Sequence, residues 1–289
     1  MGTRFEFVLT SEPEARLRTI GEAALDEICH WHDRLSLFQP DSELSFINRT
    51  AAERPIPVDA DLWELLSLCA GVHRASAGAF DPTVAPLMRR HGFHPADAGA
   101  DADTSPPTGW SDCIDLDAPS RTIRFMRSGV RLDLGAVAKG FALDRAADII
   151  RAHGVTTALL HGGTSSIIAL GAPSTSPAGW SVSIRSDAAP LTLTLRDEAL
   201  GVSAPRGRTI DVDGRTISHI LDPRTANPVD GVDTAAIIAA SAAEADAWST
   251  ALVVLGDRPA AIPARLRSFV HTAQGWSPPF AHSALTEVA

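Results

Sequence analysis

Residues 241–256 read SAAEADAWSTALVVLG, a run rich in Ala, Leu and Val that predicts a buried helix. Asp246 and Thr250 stand inside it one helical turn apart, and so on the same face. Burying a carboxylate is costly unless a partner offsets the loss of water. Two readings stand at this point. Asp246 caps the start of the helix while Thr250 bonds back to a carbonyl. Alternatively, the pair offers two hard oxygens to Mg²⁺, which takes few protein ligands and fills its shell with water and phosphate.

The remainder of the chain surrounds this helix with mixed elements. MGTRFEFVLTSE alternates like a strand, and Ile20, Ala24, Ile28, Trp31 and Leu35 mark one helical face. SLFQPDSELSFIN reads as a polar loop. A second helix is signalled by Leu62, Leu65, Leu66, Cys69 and Val72, with Asp59 or Asp61 as its cap. In SAGAFDPTVAPLM, Gly78 and Pro82 enforce a turn. Residues 95–109, PADAGADADTSPPTG, read as an exposed insertion or a lobe boundary.

Further along, TIRFM, GVRLDLG, TTALLHGG, SSIIALG, WSVSIR, LTLTL, TIDV, SHIL and TAAIIAA are strand candidates. GAVAKGFALDRAADIIRAHG predicts a helix ending at Gly154. Strands and helices alternate without a strict βαβ order, which favours an α+β fold over a doubly wound sheet. A single domain over 1–289 is the expected organisation.

Charge and cysteine content narrow the function classes. The formal net charge is −10, and no basic run interleaved with aromatics occurs, which argues against nucleic acid as a partner. Cys29, Cys69 and Cys113 are odd in number and form no CxxC pair, so neither a zinc site nor a disulfide framework is expected. Two of the three read as small core residues. No apolar run reaches the roughly 18 residues of a membrane span, and the N-terminus has no signal-peptide pattern. As written, the chain reads as cytoplasmic without stable membrane insertion, or as exported if an N-terminal segment was trimmed.

Other short stretches carry chemistry. In LDLGAVAKGFALDRAAD, Asp133 closes a strand and Lys139 with Gly140 opens a helix, whose free N–H groups and added positive charge suit phosphate. The spacing is neither a P-loop nor a GxGxxG fingerprint, and the same residues also fit a plain capped turn. In SHILDPRTANPV, His219 can take a proton near neutral pH beside the rigid Asp222-Pro223 corner, or simply sit in a strand. Asp81-Pro82 in GAFDPTV makes a similar corner, or a helix cap.

Taken together and in order, MGTRF, LSLFQPDSELSFIN, GAFDPTVAPL, LDLGAVAKGFALDRAAD, HILDPRTANPV and AAEADAWSTALVVLG closely resemble the FAD:protein FMN transferase (ApbE-type flavin transferase) family. The similarity runs from Met1 to at least Gly256. It implies largely antiparallel sheets with packed helices, in two lobes around a flavin-nucleotide cleft. It implies a Mg²⁺-dependent enzyme that splits FAD at its diphosphate. The FMN half passes to a Thr or Ser of an acceptor flavoprotein, and AMP leaves.

By the same resemblance, the metal is held by Asp246, Thr250 and the backbone carbonyl of Ala136. The positions matching FAD contacts are Met1, Phe38, Ser42, Ala79, Phe80, Asp81, Asp133, Lys139, His219 and Ile220. His219 matches the base that deprotonates the acceptor hydroxyl. Phe38 and Phe80 are the candidates to stack on flavin or adenine rings.

The chain departs from the family pattern at several points. Phe38 stands where Tyr is common, Thr164 in HGGTSS replaces a carboxylate, Ala226 in DPRTA replaces Gly, and VSA around Ser203 replaces TSG. Two other outcomes use the same residues: hydrolysis of FAD to FMN and AMP with water as acceptor, or flavin binding without catalysis.

Overall fold

The computed structural model describes residues 3–10, 13–94, 109–186, 189–207, 209–212, 215–256 and 262–277. Met1 and residues 95–108, most of the expected insertion, lie outside the described residues.

In the first half, β1 (Phe5–Leu9), α1 (Glu14–Leu35), α2 (Glu43–Thr50), β2 (Ile56–Pro57), α3 (Ala60–Ala75), α4 (Ala85–Arg90), α5 (Trp110–Cys113), β3 (Ile114–Asp117) and β4 (Thr122–Phe125) follow in order. The second half contains α6 (Ala138–Ala152), β5 (Ala158–Gly162), β6 (Ser166–Leu170), β7 (Trp180–Ile184), β8 (Leu191–Leu195) and β9 (Glu198–Ser203). It continues with β10 (Thr209–Val212), β11 (Arg215–Ser218), β12 (Leu221–Asp222), β13 (Asn227–Pro228), β14 (Thr234–Ala239), α7 (Ala242–Leu255), β15 (Arg267–Thr272) and β16 (Gly275–Trp276). The fold is α+β.

The principal sheet is antiparallel in the order β1-β5-β6-β9-β14-β15-β16. Its central strands are covered on both faces. Ala235, Ile237 and Ala239 of β14 join the large core with α1, α6 and α7, while Ala236 and Ile238 face a second cluster. That second cluster includes Ile184, Leu193 and Leu195 of the β7–β8 hairpin. A strand buried on both faces loses the apolar–polar alternation, which is why TAAIIAA reads as one continuous apolar run.

The helices form as their apolar spacing predicts. The buried residues of α1 are Ile20, Ala24, Ile28, Trp31 and Leu35. Asp59 caps α3 by accepting from the Leu62 N–H at 2.9 Å. Gly154, at φ +80°, follows the end of α6. Cys69 and Cys113 are buried and Cys29 is exposed, all three as free thiols. Among the described residues, no helix is long and apolar enough to cross a membrane.

Three local expectations differ from the structure. SLFQPDSELSFIN is only half loop, because Ser42 caps α2 and Leu44 and Ile47 are buried beneath it. GVRLDLG joins no sheet. The Asn48 side chain takes the place of a neighbouring strand, donating to the Leu132 carbonyl at 3.0 Å and accepting from its N–H at 2.8 Å. Asp133 therefore closes an extended segment rather than a strand, and its N–H donates to the Pro82 carbonyl at 2.7 Å. SHIL is broken as well: His219 and Ile220 lie between β11 and β12. Strands β9 and β15, both inside the principal sheet, carried no clear signal in the sequence.

Candidate functional site

A cavity of about 500 Å³ opens where the turn before α6, the end of β9, the N-terminal half of α7 and the β11–β12 break meet. Of the sequence-predicted residues, Phe38, Ala79, Phe80, Asp81, Asp133, Ala136, Lys139, His219, Ile220, Asp246 and Thr250 all line it. Ser42 does not line it. Its hydroxyl donates to the Ser36 carbonyl and accepts from the Ser45 N–H at 3.0 Å, which makes it the cap of α2.

Asp246 is 3% exposed and sits one turn inside α7, so it does not cap that helix. Capping falls to Ser241, which accepts from Glu244 N–H at 3.2 Å, and to Asp144 of α6, which accepts from Ala242 N–H at 2.8 Å and Ala243 N–H at 2.9 Å. Asp246 instead reaches across to α6 and β6. Its Oδ2 accepts from the Gly140 N–H at 2.9 Å, and the Ser166 hydroxyl lies 2.8 Å from Oδ1 and 2.7 Å from Oδ2. Lys139 Nζ is 3.8 Å from Oδ2.

Burial pushes the Asp246 carboxyl up to about 6, and Lys139, Ser166 and the Gly140 N–H hold it from rising further. Burial likewise raises Asp144 to about 7 against its two backbone N–H donors.

Close backbone contact makes this arrangement possible. A Cβ on Gly140 would meet the Ala242 carbonyl oxygen at 2.2 Å, and one on Gly201 of β9 would meet Ala245 backbone atoms at 2.4 Å. Both glycines let α7 approach within a distance that a side chain forbids.

The oxygens around Asp246 form a set suited to a hard cation. Thr250 Oγ1 donates to the Asp246 carbonyl at 3.2 Å, leaving its own lone pairs for other partners. Ser203 Oγ lies 3.2 Å from Thr250 Oγ1 and 2.8 Å from Ser249 Oγ. The Gly140 N–H, which continuation of the helix backwards would direct to the Ala136 carbonyl, is taken by Asp246, and among the described residues no donor replaces it. Among the described residues there is also no group of three or more His, Cys, Asp or Glu placed to hold a metal ion. A site built here has one carboxylate and otherwise neutral oxygens.

The opposite wall carries the aromatic and titratable groups. Phe38 is 63% exposed and presents an open ring, whereas Phe80, at 2%, forms wall rather than a plate for stacking. The Asp81 carboxylate is engaged locally, accepting from the Thr83 N–H at 2.8 Å and the Trp110 N–H at 3.0 Å. His219 is half-buried beside Phe93, their ring centroids 6.4 Å apart.

Sequence reasoning missed His94, which lines the cavity, and Ser166, which bonds to Asp246. Ser166 follows the HGGT stretch already singled out at Thr164, but nothing local indicates that its hydroxyl meets an acid 80 positions away. Thr164 and Ser203, both singled out in the sequence, line the cavity.

Comparison with known proteins gives a consistent result. The description of the ApbE family matches residues 1–268. An FAD:protein FMN transferase of Rhodobacter capsulatus is 33% identical over 273 residues, covering 89% of this chain and 50% of the relative. This chain therefore spans half the length of that relative. An enzyme of the same name from Klebsiella pneumoniae (strain 342) is 27% identical over 89% of this chain and 80% of its own. Among solved structures, the ApbE protein of Thermotoga maritima superposes with a TM-score of 0.81 at 26% identity, covering 96% of this chain and 93% of that one. The flavin transferase ApbE from Vibrio cholerae superposes with a TM-score of 0.77 at 25% identity, with the same coverage of 96% and 93%.

Proposed function

Because the chain belongs to the ApbE family, we propose that it is an FAD:protein FMN transferase, working as a single flavin-transferase domain. FAD is the substrate, and a Thr or Ser hydroxyl of an acceptor flavoprotein receives the FMN. The observation that carries this reading is the 2.9 Å bond from the Gly140 N–H to Asp246 Oδ2. It joins the first turn of α6, which follows the DLGA turn, to the face of α7 that bears Asp246, at the floor of one cavity.

In this reading Asp246, Thr250 and the Ala136 carbonyl hold Mg²⁺. The donor set fits, being all oxygen, with one carboxylate and a carbonyl whose helical donor is engaged elsewhere. When bound, the ion neutralises charge on the diphosphate and on the departing AMP phosphate.

The protein's own residues do the rest. Ser166 and the Gly140 N–H fix the Asp246 carboxylate in one orientation. Lys139 and the start of α6 add positive charge for phosphate, which lets a chain of net charge −10 accept an anion. Phe38 offers a face to an aromatic ring. His219 takes the proton as the acceptor hydroxyl oxygen forms its bond to the FMN phosphorus. The bond from that phosphorus to the bridging oxygen breaks, and AMP leaves with the electron pair. A base so placed typically contributes about 10²–10⁴-fold.

The test is incubation of the protein with FAD, Mg²⁺ and a candidate acceptor flavoprotein, followed by mass spectrometry of the acceptor. A mass increase of one FMN on a Thr or Ser peptide supports the transferase. Rapid AMP release that is the same without acceptor makes the protein an FAD pyrophosphatase. Binding of FAD with neither product makes it a carrier.

A further inference from the structure

We propose that Ser203 is a positioning residue of this cavity: its hydroxyl, anchored on Ser249, holds the Thr250 hydroxyl in place as an oxygen donor to the cation. The inference rests on the metal-binding reading of Thr250 and gives a role to a residue that reading does not use.

Ser203 is the last residue of β9, and Gly201 lies two positions before it on the same face of the strand. Because Gly201 has no side chain, the backbone of α7 at Ala245 and Asp246 packs directly on that face. Ser203 then meets the next turn of α7. Its Oγ lies 2.8 Å from Ser249 Oγ and 3.2 Å from Thr250 Oγ1. Both α7 hydroxyls donate to the Asp246 carbonyl, Ser249 at 3.0 Å and Thr250 at 3.2 Å.

The two neighbours of Ser203 differ in surroundings. Ser249 is fully buried, while Thr250 is half-buried and lines the cavity, as Ser203 itself does. Ser203 therefore ties a hydroxyl that faces the cavity to one that cannot move, whichever member of each pair supplies the proton. In a helix a threonine hydroxyl divides between two χ1 wells. A turn to the other well carries Thr250 Oγ1 away from Ser203, so the contact from β9 favours the well observed. A donor already held in one orientation loses less freedom when its ligand arrives, and binds more tightly for that reason.

Two substitutions at 203 and one at 250 test the assignment. Ser203→Ala removes the hydroxyl, and Ser203→Thr keeps it on a residue suited to a strand. Thr250→Ser keeps the oxygen donor but loses the methyl group that restricts χ1, so its hydroxyl leans more heavily on Ser203. Dissociation constants for Mg²⁺ are measured by calorimetric titration, with melting temperatures in EDTA as the check on folding.

Ser203→Ala is expected to weaken Mg²⁺ binding by about three- to tenfold, and Ser203→Thr to retain most of the affinity. In the Thr250→Ser background, Ser203→Ala should cost a larger factor than in wild type, the non-additivity that marks action through residue 250. If Ser203→Ala melts well below wild type in EDTA, Ser203→Cys, which keeps the volume and bonds weakly, takes its place with the same expected loss. Unchanged affinity in Ser203→Ala, equal losses in the Ala and Thr variants, or the same factor in both backgrounds overturns the assignment. A wild-type protein that binds no Mg²⁺, with or without FAD, overturns the metal reading itself, a result distinct from normal wild-type binding with indifferent variants.

Discussion

The backbone N–H of Gly140 donates to the carboxylate of Asp246 at 2.9 Å across 106 positions of sequence. The first turn of α6 and the acidic face of α7 are locked together by this bond, and the cavity floor is what they make between them. The carboxylate that looked misplaced in an apolar helix is held by a helix N-terminus, a serine hydroxyl and a nearby lysine.

Gly140→Ala tests that contact sterically. The new Cβ meets backbone rather than a side chain that can swing away, so α7 must shift. A loss of about 2–4 kcal/mol in unfolding free energy is expected from chemical denaturation, with flavin transfer abolished at temperatures where the variant is still folded.

Asp246→Asn keeps the volume and removes the charge. The variant is expected to melt close to wild type in EDTA, because burying an amide is cheaper than burying a carboxylate. Added Mg²⁺ is expected to raise the melting temperature of the wild type and leave the variant unmoved. FAD turnover should fall by at least about 10². A Mg²⁺-induced shift of equal size in both proteins counts against Asp246 as a ligand.

His219→Asn removes the proposed base without emptying the wall of the cavity. The expected outcome is a kcat lower by about 10²–10⁴-fold at nearly constant KM for FAD. A change confined to KM would assign His219 to binding alone.

Asp144 makes stability depend on pH. Burial raises its carboxyl to about 7 in the folded protein, above its unfolded value near 3.8. A raised folded pKa contributes stability that is complete below the unfolded value and is lost as pH climbs through the folded one. Relative to Asp144→Asn, the wild type should therefore lose stability between about pH 4 and 8, by up to about 4 kcal/mol. Denaturant titrations of both proteins in EDTA across that range measure the difference; a wild type that gains on the variant with rising pH reverses the sign and refutes the assignment.

Ala226 occupies φ +61°, in the left-handed region that favours glycine. A glycine at this point of DPRTA would relieve a backbone cost that alanine bears. Ala226→Gly is expected to stabilise the protein by about 0.5–1 kcal/mol in equilibrium denaturation, with FAD turnover unchanged.

Much of this protein was settled by local sequence. The 3.6-residue spacing of Ile20, Ala24, Ile28, Trp31 and Leu35 fixed α1 and its buried face, and Asp59 and Gly154 marked helix ends through capping chemistry that acts within one turn. The ordered motifs indicated the family and eleven of the residues that line the cavity, because those residues cluster in short stretches with distinctive composition.

Other features depended on partners far along the chain. GVRLDLG has the pattern of a strand, but Asn48 satisfies its backbone and keeps it out of a sheet. Ser42 caps α2 through its hydroxyl, a contact that the loop-like composition around it does not announce. Ser166 and His94 find their partners only in Asp246 and Asp133, and Gly140 gains its role only from the carbonyl of Ala242 pressed against it. Periodicity and capping are short-range and can be read from one segment. Hydrogen bonds to a buried charge, and the room a missing side chain leaves, belong to pairs that only folding brings together.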